Sequence, residues 1–219
     1  QAMRSVLGER VIGICDTPIG LVNRTLNALD IPEEERADVS FDYAGLNHLG
    51  WLRSLSVGGR DVLPRLFADE AALGSMEESR AIGTDWIRAL GALPNEYLFY
   101  YYCHREAMAR IHQDQTRGEY LRDQQDAFYN AVLSDPNQAG RTWIDALADR
   151  EATYMAEARD VDERSGRRAE DIAGGGYQKV ALDLMNALAT NTPARMILNV
   201  GNGDGGFSSI PTLRDTDVV

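Results

Sequence analysis

A chain of 219 residues can bury one good core, and a single domain spanning 1–219 is the expectation. Its formal net charge of −12 leaves no basic stripe to neutralise phosphates, which excludes a nucleic-acid partner. No apolar run approaches the ~20 residues of a membrane helix, no secretory leader is legible, and the 2 cysteines lack CxxC spacing, so a reduced, cytoplasmic setting without membrane contact is expected.

In chain order, Glu9–Cys15 reads as a buried strand, and Ile19–Leu29 as a helix with Leu21, Val22, Leu26 and Leu29 on one face. Pro32 opens a short acidic helix whose glutamates suit its amino end. Val39–Tyr43 and Leu46–Val57 read as strands separated by Gly45, with a turn at Gly58-Gly59. Helical patterning follows over Val62–Leu73, Met76–Leu90 and a long stretch through Ala131. It breaks at Asp135-Pro136-Asn137 and resumes over Thr142–Ala158 with Trp143, Ala146, Leu147 and Tyr154 at helical spacing. Val161–Arg168 is a polar connector, Gly174–Gly176 opens a helix through about Ala189, and Arg195–Val200 is a closing strand before a loop-rich tail. There is no internal repeat. The pattern defines a helix-rich α+β fold with a small mixed or antiparallel sheet.

The chemistry concentrates in two stretches, Val11–Leu21 (VIGICDTPIGL) and Asp42–Trp51 (DYAGLNHLGW). The first places Cys15 and Asp16 at the carboxyl end of a strand, where α/β proteins build their sites. The second brings His48, in a strand-like context, with Asn47 beside it. A thiolate, an imidazole and a nearby carboxylate suit a borderline divalent metal, and two protein ligands would leave positions open for substrate and water. A free cysteine is more often a core residue, and a lone histidine more often a hydrogen-bonded structural one. The first strand runs into CDTPIG, which is no GxGxxG, and GNGDGG at Gly201–Gly206 has no helix after it, so no dinucleotide fingerprint is legible. Cys103, His104 and His112 read as helix residues without metal partners.

CDTPIG resembles the CNVPI or CDxPI element of the NAD- and metal-dependent glycosidases, glycoside hydrolase family four. DYAGLNHLGW is similar to the YxGLNHLxW element of that family's 6-phospho-β-glucosidases, and Leu93–Tyr102 (LPNEYLFYYY) to its NxYLxYY. The three elements stand in the family's order, and the likeness resumes at GGGY and ILNVGN. The resemblance implies a fold like the carboxyl-terminal domain of lactate and malate dehydrogenases, with the dinucleotide-binding domain absent from this chain. It implies Cys15 and His48 as ligands of Mn2+, Tyr97 as catalytic base, Asp16 as general acid and Asn47 as a substrate-binding residue. Tyr100, Tyr101 and Tyr102 remain alternatives to Tyr97, since an aromatic cluster at helical spacing is usually core.

The activity implied is hydrolysis of phosphorylated β-glucosides outside the two-carboxylate glycosidase scheme. NAD oxidises carbon 3, the tyrosine removes the acidified proton on carbon 2, the aglycone is eliminated, water adds and the hydride returns. Asp16 is a departure, because family members acting on β-linkages often carry Asn there and several α-specific members carry Asp. A 6-phospho-α-glucosidase therefore stays open. Gly174–Gly176 could offer helix amides to a sugar phosphate, but a tight turn is the plainer reading, and Ala173 stands where many members have arginine. A non-catalytic sugar-phosphate binding module and a lactate/malate-type dehydrogenase domain are the rival classes. The expected partners are a phosphorylated sugar and further copies of the protein, as a homo-oligomer.

Overall fold

The computed structural model describes residues 2–46, 48–111, 115–158, 176–201 and 217–218. The chain divides into two compact units, one formed by Gln1–Leu98 with Glu170–Val219 and the other by Phe99–Ala169.

In the first unit, helix α1 (Ala2–Leu7) runs into a 3-10 turn at Gly8–Arg10. Of the strand expected over 9–15, residues 9 and 10 lie in that 3-10 turn and the remainder makes one isolated bridge, with Gly13 and Asn199 exchanging both backbone hydrogen bonds at 2.9 Å. That bridge ties the start of the unit to its segment 176–201. Helix α2 (Thr17–Ala28) follows with Pro18 in its first turn, where a missing N–H costs nothing. It buries Leu21, Val22 and Leu26, the face that the periodicity marked.

Strands β1 (Val39–Leu46) and β2 (Leu49–Val57) form an antiparallel hairpin in which Leu46 pairs with Leu49. His48 is therefore at the hairpin turn and not in a strand, with φ of 65°. Gly45, at φ 137°, pairs with Gly50 just inside that turn. A methyl group on Gly45 would overlap the Leu49 carbonyl, and one on Gly50 would overlap the Tyr43 ring. Along its other edge β2 pairs with β3 (Arg60–Asp61) and with β4 (Leu93–Pro94), so all pairings in this four-stranded sheet are antiparallel.

Between β3 and β4, where two longer helices were expected, the chain makes four short ones: α3 (Leu63–Ala68), α4 (Glu70–Ser75), α5 (Glu77–Ile82) and α6 (Thr84–Leu90). Asp69 caps α4 by accepting from the Ala72 N–H, and Gly83 and Gly91 take positive φ at the later breaks. These helices and α2 close over the sheet around Leu21, Leu26, Leu52, Leu55, Leu66 and Leu73. Burial of six such leucines at about 2 kcal/mol each makes this the stabilising centre of the unit.

The second unit begins with α7 (Phe99–Tyr102) and α8 (His104–Ile111). Helices α9 (Arg117–Ser134) and α10 (Ala139–Thr153) then form an antiparallel hairpin across the Asp135-Pro136 break. Thr116 and Glu119 form a capping box at the start of α9. Neither helix buries a residue, and Tyr129, Leu133, Trp143, Ile144 and Leu147 are exposed.

The first unit resumes with α11 (Gly176–Thr190), then β5 (Val200–Gly201) paired with β6 (Asp217–Val218). The closing strand expected over 195–200 is thus reduced to its final residues. The polar connector 161–168, Gly174, Gly175 and most of the 201–219 tail lie outside the described residues. Helix-rich, with a small four-stranded antiparallel sheet and the two-stranded β5–β6 pair among the described residues, the fold is the α+β arrangement expected. Among the described residues no helix is long and apolar enough to cross a membrane.

Candidate functional site

Cys15 ends the extended segment and Asp16 occupies the N-cap of α2, without a side-chain capping bond. Cys15 is buried, at 3% exposure. Burial raises the Cys15 thiol above its ordinary range; hydrogen bonds from the Thr17 N–H and hydroxyl work against this, and the charges of Asp16 and Glu96 add to it. Left to itself, this cysteine stays a thiol at neutral pH and needs a cation to become a thiolate.

His48 arrives from the hairpin turn. Its left-handed backbone is uncommon outside glycine, asparagine and aspartate, and such conformations cluster at functional sites. The Nε2 atom is buried without a hydrogen-bond partner. An imidazole nitrogen left so would cost about 1–3 kcal/mol. Burial lowers the His48 pKa, with Asp16 opposing, so the neutral, metal-ligating form prevails.

Tyr97 sits in the 3-10 turn Glu96–Leu98 that follows β4. Its backbone N–H donates to Asn95 Oδ1 at 3.1 Å, and Asn95 Nδ2 in turn donates to the Tyr43 hydroxyl at 3.0 Å. These bonds aim the Tyr97 ring at His48, with centroids 4.2 Å apart.

Tyr177, in the first turn of α11, completes the group. Burial, then the charges of Cys15, Asp16 and Tyr97, push its hydroxyl pKa up to about 12. The only signal for it in the sequence was its place directly after three glycines. Gly176 has φ of 64°, and this backbone is what delivers the next residue into the site.

Behind Cys15 lies a buried ionic cluster that no periodicity announced. Arg24 of α2 pairs with Glu78 of α5 and, at 3.2 Å, with Glu96. Thr17 Oγ1 lies 3.5 Å from the other Glu96 oxygen. Desolvation works against the Arg24 charge, but Glu78 and Glu96 outweigh it and keep the guanidinium protonated.

The structure therefore brings Cys15, Asp16, His48 and Tyr97 together. Asn47 and His112 lie outside the described residues. Tyr100, Tyr101 and Tyr102 belong to the second unit, where Phe99 packs edge-on to Tyr100 and Tyr101 to Tyr102. Cys103 is half-buried, and His104 is exposed at the start of α8. Among the described residues no group of three or more His, Cys, Asp or Glu side chains is placed to hold a metal. A desolvated sulfur and a buried, unpartnered imidazole nitrogen nonetheless fit a divalent cation with open positions, the catalytic pattern.

The Family 4 glycosyl hydrolase C-terminal domain matches residues 43–219, and the chain belongs to that family. A maltose-6'-phosphate glucosidase of Bacillus subtilis is 25% identical over 218 residues, 93% of this chain and 42% of the relative. A 6-phospho-β-glucosidase of Escherichia coli is 30% identical over 108 residues, 46% of this chain and 23% of the relative. Among solved structures, the Thermotoga maritima 6-phospho-β-glucosidase with manganese, NAD+ and glucose-6-phosphate superposes with a TM-score of 0.62 at 19% identity, covering 99% of this chain and 43% of that one. A 6-phospho-α-glucosidase from gut microorganisms, in complex with NAD and Mn2+, gives 0.59 at 20%, covering 99% and 46%. The chain spans less than half the length of these relatives. In these enzymes the matching domain has a dehydrogenase-like fold, so the architecture shared with lactate and malate dehydrogenases is the one found.

Proposed function

We propose that this chain is the substrate- and metal-side domain of a 6-phospho-β-glucosidase, with the dinucleotide-binding domain supplied elsewhere in the protein. The observation carrying this reading is the unpartnered His48 Nε2 in a cluster with Cys15 and Tyr97. Names of relatives and titles of neighbouring structures that pair phosphoglucosidases with NAD and manganese support it.

Cys15 and His48 would hold Mn2+, and the cofactors when bound would supply Lewis acidity at the sugar hydroxyls and reversible oxidation at carbon 3. Tyr97 takes the proton from carbon 2, Asp16 protonates the departing glycosidic oxygen, and Asn47 orients the sugar hydroxyls. Nothing in this set needs paired carboxylates, because the bond breaks by elimination.

A 6-phospho-α-glucosidase is the second reading. Asp16 and the maltose-6'-phosphate glucosidase matched over nearly the whole chain favour it, whereas the GLNHLGW stretch favours the β-linkage. We further place the protein in the cytoplasm as a homo-oligomer, readings supported by its free cysteines and by the apolar residues left exposed on α9 and α10.

Mn2+ titration calorimetry of this chain, with Cys15→Ser and His48→Ala beside it, tests the site; binding should vanish in both variants. The 219-residue chain alone should not turn over phosphorylated β-glucosides with added NAD and Mn2+. The full-length protein should do so, and a preference for the α-anomer there would decide for the second reading.

A further inference from the structure

We infer that Tyr43 is a positioning residue for Tyr97, acting through the Asn95 amide that joins them. This rests on the reading of Tyr97 as the catalytic base.

Asn95 has 0% exposure, and a buried amide is costly unless its polar groups are matched. Its backbone N–H donates to the Gly50 carbonyl at 3.0 Å, and its own carbonyl accepts from the Leu98 N–H at 3.0 Å. The side chain then joins two elements. Oδ1 accepts from the Tyr97 N–H at 3.1 Å, and Nδ2 donates at 3.0 Å to the Tyr43 hydroxyl, 52 positions away. A backbone N–H can only donate, so the atom that meets Tyr97 is Oδ1, and Nδ2 is left to face Tyr43.

The local half of this arrangement, an acceptor for the N–H two residues on, is one that serine or aspartate also supplies. Of these short side chains only asparagine carries a separate donor head, and Tyr43 is what that head meets. Tyr43 is itself set by the hairpin. A β-bulge, with Arg53 as the extra residue, falls directly before it, and bulges serve to redirect side chains. Its ring lies so close over Gly50 that a methyl group there would overlap it. The hairpin that carries His48 in its turn thus also fixes, from Tyr43, the backbone on which the Tyr97 ring meets His48 at 4.2 Å.

The test uses Tyr43→Phe, which removes the hydroxyl and keeps the ring, and Asn95→Ser, which keeps the local acceptor and withdraws the donor. In this chain the NMR resonances of the His48 ring, assigned among the 3 histidines with His48→Ala, report the Tyr97 ring beside it and should shift in both variants. In the full-length protein Tyr43→Phe should lower kcat about 10²-fold with KM for the phosphorylated glucoside little changed. It should cost nothing further once Tyr97→Phe is present, because it acts through that residue. Unmoved His48 resonances in both variants, or equal losses of kcat with and without the Tyr97 hydroxyl, would overturn the inference. Should Tyr97→Phe leave turnover intact while the resonances respond, the base reading fails and the positioning of the ring stands. Asn95→Ser carries the test if Tyr43→Phe does not fold.

Discussion

The rings of His48 and Tyr97 lie 4.2 Å apart, tilted by 31°, although the two residues come from a hairpin turn and from the turn after β4. Ring contact at this distance contributes to holding each side chain in one rotamer.

Tyr97→Phe should keep that ring packing and lose only the hydroxyl. Mn2+ affinity should be unchanged, while turnover by the full-length protein falls about 10²–10⁴-fold, the usual contribution of a general base. Calorimetry and steady-state kinetics on the same preparation check it. A parallel loss of metal binding would make Tyr97 a structural residue.

Mn2+ affinity should rise with pH by about tenfold per unit through neutrality. Burial holds the Cys15 thiol protonated above its ordinary range, so each metal bound expels one proton. Burial lowers the His48 pKa, so the imidazole competes with metal only in more acid solution. Titrations in buffers of different ionisation enthalpy count the released proton. A pH-independent affinity would exclude the thiol as a ligand.

The Arg24–Glu78–Glu96 cluster should leave a mark on stability. Burial raises Glu78 from the ordinary 4.5 to about 7, Arg24 opposing. Because the folded-state value is the higher one, its contribution to stability is complete below about 4.5 and is lost as pH rises through about 7. Urea denaturation of metal-free wild type against Glu78→Gln across this range should show the difference shrinking with pH in that direction. Arg24→Ala should cost about 3–5 kcal/mol, because it strands two buried carboxylates.

Gly45→Ala should destabilise the first unit by about 3 kcal/mol, since a side chain is both strained at φ 137° and blocked by the Leu49 carbonyl. The urea midpoint should fall without a change in m-value. Loss of Mn2+ binding at denaturant concentrations that leave the wild type intact should accompany it, because Gly45 shapes the turn that carries His48.

Periodicity in the sequence located α2 and its buried face, the two strands of the hairpin and the break between α9 and α10, because local hydrophobic spacing alone selects those elements. The short motifs pointed to Cys15, Asp16 and His48, because each lies in a stretch whose residue types are unusual together, while Tyr97 was singled out from its neighbouring tyrosines by family resemblance alone. Local pattern did not locate the His48 turn within the hairpin: Gly45 looked like the strand break, and only pairing of Leu46 with Leu49 shows the chain reversing three residues later. Nor did it show that 9–15 would lack a continuous strand partner. The missed helix breaks at Asp69 and Gly83 follow from capping and backbone conformation, which apolar spacing does not carry.

Tyr177 and the Arg24–Glu78–Glu96 cluster were beyond reach for a different reason. Arg24 is separated from Glu78 by 54 positions and from Glu96 by 72. No local rule distinguishes these glutamates from the many acidic residues of a chain with net charge −12. What the sequence determined was which residue types are present and which faces are apolar. Which charges leave water was decided when α2, α5 and the turn after β4 packed together. Desolvation and distance, the two quantities that set those interactions, exist only in the folded chain.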